Sequence, residues 1–123
     1  MKHAKQMTSI GVLVFGLLIL LTFSPKVANA HPPASVEPFY NMEKQALEVK
    51  VTHSSSSLGK HYVKKVMIKK NGEVVGGGDY TGQPDKEVFI YSYPLVVVPG
   101  DLLEVKATCS VYGSKSTELK IEK

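Results

Sequence analysis

The chain has no arginine and a single cysteine, Cys109, among its 123 residues. Without a guanidinium it lacks the planar fork that grips a phosphate, a carboxylate or a guanine edge at two points at once. Nucleic acid is therefore not an expected partner, and Lys64, Lys65, Lys69 and Lys70 read as a solvated strand face. A single cysteine excludes an intramolecular disulfide, the usual brace of a small exported domain. Cys109 must then be buried, bound to a metal or paired between chains. Helical periodicity is missing after the N-terminal segment, as are internal repeats and any linker long enough to divide a domain. Ser54-Ser55-Ser56-Ser57 stands outside any Gly-x-Ser-x-Gly elbow, which excludes that route to a serine nucleophile. Gly76-Gly77-Gly78 lacks the following Gly-Lys-Ser/Thr and helix of a phosphate loop.

What is present begins with an address. Lys2, His3 and Lys5 make a basic start, and Ile10 to Phe23 is an uncharged run of 14 residues, short against the roughly 20 needed to cross a bilayer. Ser24-Pro25 ends the run, and Ala28-Asn29-Ala30 offers the small-x-small pattern of signal-peptidase cleavage. The expectation is a signal peptide over 1–30 and a mature domain over 31–123, periplasmic or secreted, with no membrane association after cleavage. No cysteine at the cleavage point marks a lipid anchor. The whole chain carries 15 basic and 11 acidic residues; removing Lys2, Lys5 and Lys26 leaves 12 lysines against 11 acids, so the basic balance belongs mostly to the leader.

The mature part reads as strands. Leu47, Val49 and Val51 alternate with Glu48, Lys50 and Thr52, the period-two pattern of a half-buried strand, and His53 continues the inward phase. A Ser/Gly-rich loop follows, closed by His61, and the serines read as its flexible tip. His61 to Lys70 is apolar with poor alternation: Val63 and Met67 share one face, Val66 and Ile68 the other, as in a strand contacted on both sides. Asn71-Gly72 is a strong type I′ hairpin signal, with a return over Glu73 to Val75, after which Gly76-Gly77-Gly78 weakens regular structure. Val36 to Tyr40 reads as an edge strand limited by Pro38, and Val88 to Tyr93 as a further strand. Leu103, Val105, Ala107, Cys109 and Val111 fall on one face of a long strand, and Thr117, Leu119 and Ile121 alternate in the last. About seven short strands with turn signals between them predict an all-β, immunoglobulin-like antiparallel β-sandwich.

His53, His61 and Cys109 are the residues that could carry chemistry. Neutral imidazole and thiolate suit iron, copper or zinc, and two loops at one end of a sandwich could bring them together. Cleavage after Ala30 would leave His31 as the first mature residue, where an α-amine and an imidazole together favour copper.

The order Thr52-His53, His61-Tyr62-Val63, Asn71-Gly72, Pro99-Gly100-Asp101 and Cys109-Ser110-Val111-Tyr112-Gly113 resembles the iron-binding domain of the superoxide reductases (desulfoferrodoxin and neelaredoxin) over most of residues 45–123. The resemblance implies an immunoglobulin-like sandwich in which four histidines and a cysteine hold one non-haem iron that reduces superoxide. On that reading His53, His61 and Cys109 are metal ligands, and an electron donor is an expected partner. The family's Cys-Asn-x-His-Gly becomes Cys109-Ser110-Val111-Tyr112-Gly113, so Tyr112 stands where the fourth histidine would be, as a conceivable tyrosinate ligand. The family's Glu-Lys-His element has no counterpart near Val36 to Tyr40, and no catalytic residue carries over. His31 could supply an imidazole if the N-terminus folds back beside the loop. The alternatives are a non-catalytic sandwich that binds or carries for a protein partner, with no metal, and a periplasmic copper-binding protein using His31.

Overall fold

The computed structural model describes residues 31–122; the segment expected to be a signal peptide lies outside them. Seven strands follow one another: β1 (Ser35–Asn41), β2 (Ala46–Thr52), β3 (Val63–Lys70), β4 (Glu73–Asp79), β5 (Val88–Pro94), β6 (Leu102–Cys109) and β7 (Ser114–Lys120). They pair antiparallel into two sheets, ordered β1-β2-β5 and β4-β3-β6-β7. This is the all-β sandwich expected from the strand count. In the immunoglobulin constant arrangement the fourth strand pairs with the fifth; here β4 pairs with β3 instead.

The core is built from the alternating positions. Leu47, Val49 and Val51 of β2 and Leu103, Val105 and Ala107 of β6 are fully buried, with Val36, Val66, Ile68 and Phe89 packed among them. Pro38 sits on the edge strand β1, opposite Val49, where its missing N–H costs the sheet least.

Three features depart from the sequence expectation. Val63 lies on the same buried face as Val66 and Ile68, because the β3–β6 register slips between Val63 and Lys65, a bulge that restores the phase. The three glycines do not interrupt β4, which runs through them to Asp79; Gly77 has φ +132°, and a Cβ there would lie 2.0 Å from the Val66 carbonyl oxygen. Val111 does not continue the inward row of β6, which ends at Cys109, and it is exposed.

The end of the sandwich formed by Asn71 and Asp101 is closed by polar capping. Asn71 and Gly72 both have positive φ (53° and 89°), as the hairpin signal requires. Asp101 accepts from the Val98 amide and from Asn71 Nδ2, both at 2.9 Å, and these bonds hold its carboxyl below the usual range. Asn71 in turn accepts from the Leu102 amide at 2.9 Å. The opposite end, where β2 and β6 finish and β3 starts, carries the histidines and the cysteine.

Candidate metal centre

His53 is the first residue beyond β2 and keeps that strand's inward phase, so its side chain is fully buried. Its amide donates to the Glu87 carbonyl at 2.8 Å, continuing the pairing of β2 with the chain that enters β5. The loop that follows is tied down rather than free at its tip. Ser55 is buried; its hydroxyl donates to the His61 carbonyl at 2.5 Å and accepts from the Ser57 amide at 3.1 Å. The His61 amide donates back to the Ser57 carbonyl at 2.8 Å. The serine run is therefore partly an internal brace that fixes where His61 begins.

Cys109 ends β6 opposite Val63 and is buried and free. Ser110 sews its turn to the histidine loop: the Ser110 amide donates to the Tyr62 carbonyl at 2.7 Å, its hydroxyl accepts from the Tyr62 amide at 3.0 Å, and the same hydroxyl donates to the Lys60 carbonyl at 3.1 Å. The Val111 amide stands 3.4 Å from Cys109 Sγ, a donor aimed at the atom that would carry thiolate charge.

One ligand atom each from His53, His61 and Cys109 lies within 4.8 Å of the others. Three atoms that close all fall within about 2.8 Å (4.8 Å/√3) of a common point, against metal bonds of about 2.0–2.3 Å to imidazole nitrogen and thiolate. Small side-chain rotations would bring all three into range.

Gln83, which sequence reasoning missed, decides the state of His53. Gln83 Nε2 donates to the carbonyls of His53 and Asp85, both at 2.8 Å. The amide oxygen must then face the other way, where it accepts from the Val63 amide at 3.1 Å and meets His53 Nδ1 at 2.7 Å. An acceptor opposite Nδ1 requires the proton there, which leaves the lone pair on Nε2. That Nε2 is buried without a hydrogen-bond partner, and so is Nε2 of His61. A buried polar atom left bare costs about 1–3 kcal/mol, and two of them beside one thiol are what an ion's donor set looks like from the protein side. The nearly universal hydrogen bond from the distal nitrogen of a ligating histidine is already in place. Burial also lowers the His53 pKa, opposed by the Gln83 bond and aided by the neighbouring His61 and His31, which favours the neutral imidazole. The residues fit a single transition-metal ion.

The remaining sequence candidates sort by position. The His31 ring is exposed but stands beside the other two, its centre 6.0 Å from that of His53 and 5.6 Å from that of His61, while those two are 4.7 Å apart. Tyr112 is exposed on the turn that follows Cys109. Nothing in the sequence marked Gln83, since a glutamine before a proline in a turn is an ordinary loop residue. Its role comes from the 30 residues that separate it from His53 being folded back.

No protein-family model matches the chain, and no curated protein matches it. Among solved structures the chain is similar to a superoxide reductase (neelaredoxin) from Ignicoccus hospitalis, at 14% identity and a TM-score of 0.44, over 75% of this chain and 80% of that one.

Proposed function

We propose that this chain is an exported β-sandwich domain that binds one transition-metal ion, iron in the first instance, through His53, His61 and Cys109. The observation that carries the reading is that His53, His61 and Cys109 each bring a ligand atom within 4.8 Å of the others, while Nε2 of both histidines is buried without a hydrogen-bond partner. Most buried polar groups in proteins have a partner, and two unpartnered nitrogens beside a thiol are accounted for by a bound ion. The choice of iron rests on the sequence resemblance to superoxide reductases, whose ligand pattern His53, His61 and Cys109 match. Imidazole with thiolate also suits copper, and His31 beside the pair favours that second reading.

An iron held by a thiolate supplies one-electron chemistry when bound. The protein's own share is to hold two imidazoles, to aim a backbone amide at the sulfur and to keep the sulfur buried. Superoxide reduction is the activity the resemblance implies; Tyr112 in place of a family histidine makes it a separate question from metal binding. Export, with cleavage after Ala30, is part of the proposal and rests on the leader pattern.

Elemental analysis and visible absorption of anaerobically purified mature protein test the reading. One equivalent of iron, with a thiolate-to-metal band that Cys109→Ser removes, is the expected result. Copper in its place selects the second reading. Protein that stays metal-free after reconstitution with Fe(II), Cu and Zn overturns both and leaves a non-catalytic binding module. Superoxide consumption by the iron form, assayed separately, decides the activity.

A further inference from the structure

Three imidazole rings gather at this end of the sandwich; His31 is not in the group of ligand atoms that His53, His61 and Cys109 form within 4.8 Å, so its ring must turn inward to reach an ion they hold. Their ring centres form a triangle with sides of 4.7, 5.6 and 6.0 Å, and the point equidistant from its corners is about 3.2 Å from each. An ion bound at about 2.0–2.1 Å to an imidazole nitrogen lies about 3.2 Å from the centre of that ring, since the nitrogen itself is roughly 1.1–1.2 Å from it. Rings packed edge to face also meet at such distances, so the spacing permits a shared ion, and the anchoring of the N-terminal segment is what argues for it.

The N-terminal segment holds His31 there. Pro33 is fully buried, and the Ala34 amide donates to the Thr52 carbonyl at 2.8 Å, so the chain is fixed three residues after His31 and next to His53. Pro32 lies over Gly113, close enough that a Cβ on that glycine would come within 3.2 Å of Pro32 Cβ. Gly113 therefore seats the N-terminal segment on the same turn that carries Cys109. Two prolines in succession leave little backbone freedom to lose on binding. His31 Nδ1 stands 3.4 Å from the Pro32 carbonyl oxygen, and as the donor there it leaves Nε2 with the lone pair, as in His53.

We propose that His31 is a fourth ligand, so that the centre holds its ion through three imidazoles and one thiolate. The inference rests on the metal-binding reading above and adds to it the ligand count and the role of the N-terminal segment. The ring is exposed where the other ligands are buried, which makes His31 the ligand that closes over an ion already held by His53, His61 and Cys109. The donor is the imidazole and not the α-amine, so a residue left in front of His31 does not abolish binding.

The test uses the mature protein loaded with Co(II) alone, a d–d and thiolate-band reporter of ligand number, with Zn(II) competition for affinity. Three forms are compared: wild type, His31→Ala, and His31→Gly with and without added imidazole. Wild type is expected to bind one Co(II). His31→Ala should weaken binding at least ~10-fold, the lower end of what removing a mere supporting group costs, and should shift the d–d spectrum. Imidazole should restore the wild-type spectrum in His31→Gly, which a structural role for His31 would not allow. Metal-free unfolding temperatures should be the same in all forms, because the removed ring is exposed. If wild type binds and His31→Ala matches it in affinity and spectrum, the fourth ligand is refuted and the three-residue site stands. Loss of binding in an otherwise wild-type protein carrying one residue before His31 would move the donor to the α-amine and refute the imidazole. Wild type that binds no Co(II) or Zn(II) refutes the ligand and the metal site together.

Discussion

Gln83 holds the most consequential hydrogen bonds in the molecule, because one side chain serves four backbone and side-chain partners. Its amide group is oriented by two carbonyls, and that orientation alone forces the proton of His53 onto Nδ1. Gln83→Leu keeps the size and removes every one of these bonds. Metal affinity should fall about 10–100-fold, the usual cost of losing the partner of a ligating histidine. Metal-free stability should fall by about 1–3 kcal/mol, because the His53 carbonyl and Val63 amide lose a buried partner. Metal titration and urea unfolding read the two effects separately; unchanged affinity would show that Gln83 does not set the tautomer. At this scale His53 was legible in the sequence, since it continues the phase of Leu47, Val49 and Val51. Ser55 was not, because a serine's burial depends on whether a carbonyl such as that of His61 lies within reach, and that is a property of the folded loop.

At the scale of elements, the period-two alternation of β2 and β6 and the Asn71-Gly72 turn specified their structure locally, and the sandwich followed from their number. What escaped the pattern were the irregularities. One extra residue between Val63 and Lys65 moves Val63 to the core face and makes β3 look two-sided in sequence. The glycine run of β4 looks like a break but is a strand that passes very near its neighbour. At Gly77 the backbone is at φ +132° and the Val66 carbonyl oxygen fills the space of any Cβ. Gly77→Ala therefore forces strain of about 1–3 kcal/mol or more and should lower the urea midpoint by the corresponding amount. Gly72→Ala is the informative companion: its φ is also positive, but a Cβ there meets nothing within 4 Å, so its cost is that of the dihedral alone. Equal losses in the two variants would show that the contact with Val66 carries no weight.

Taken whole, the molecule separates its supports from its site. Where Tyr80, just beyond β4, reaches across to the other sheet, its hydroxyl meets that of Tyr93 at 2.6 Å and its ring stacks on Tyr91 with centres 4.2 Å apart. Burial, then the neighbouring Tyr80, raises the Tyr91 pKa to about 12 and that of Tyr93 further still. A raised folded-state value means the folded chain keeps protons the unfolded chain has lost. This stabilisation is complete below pH ~10 and disappears as pH climbs through about 12. Urea midpoints should decline over that window, and Tyr91→Phe should flatten the decline; a midpoint independent of pH from 9 to 11.5 would refute it. At the proposed metal end the expected sense is the opposite, because an ion bound there would add stability. His61 and Cys109 are 48 residues apart in sequence, so the unfolded chain presents them separately and the ion favours the folded state. At free metal of 100 times Kd the gain is about 2.7 kcal/mol. For a domain of this size that corresponds to a rise in Tm of roughly 10–20 °C, which a strong chelator should reverse. Cys109→Ser should reduce the rise in proportion to its lost affinity. A Tm that ignores both metal and chelator would mean that the bare nitrogens of His53 and His61 do not take up an ion.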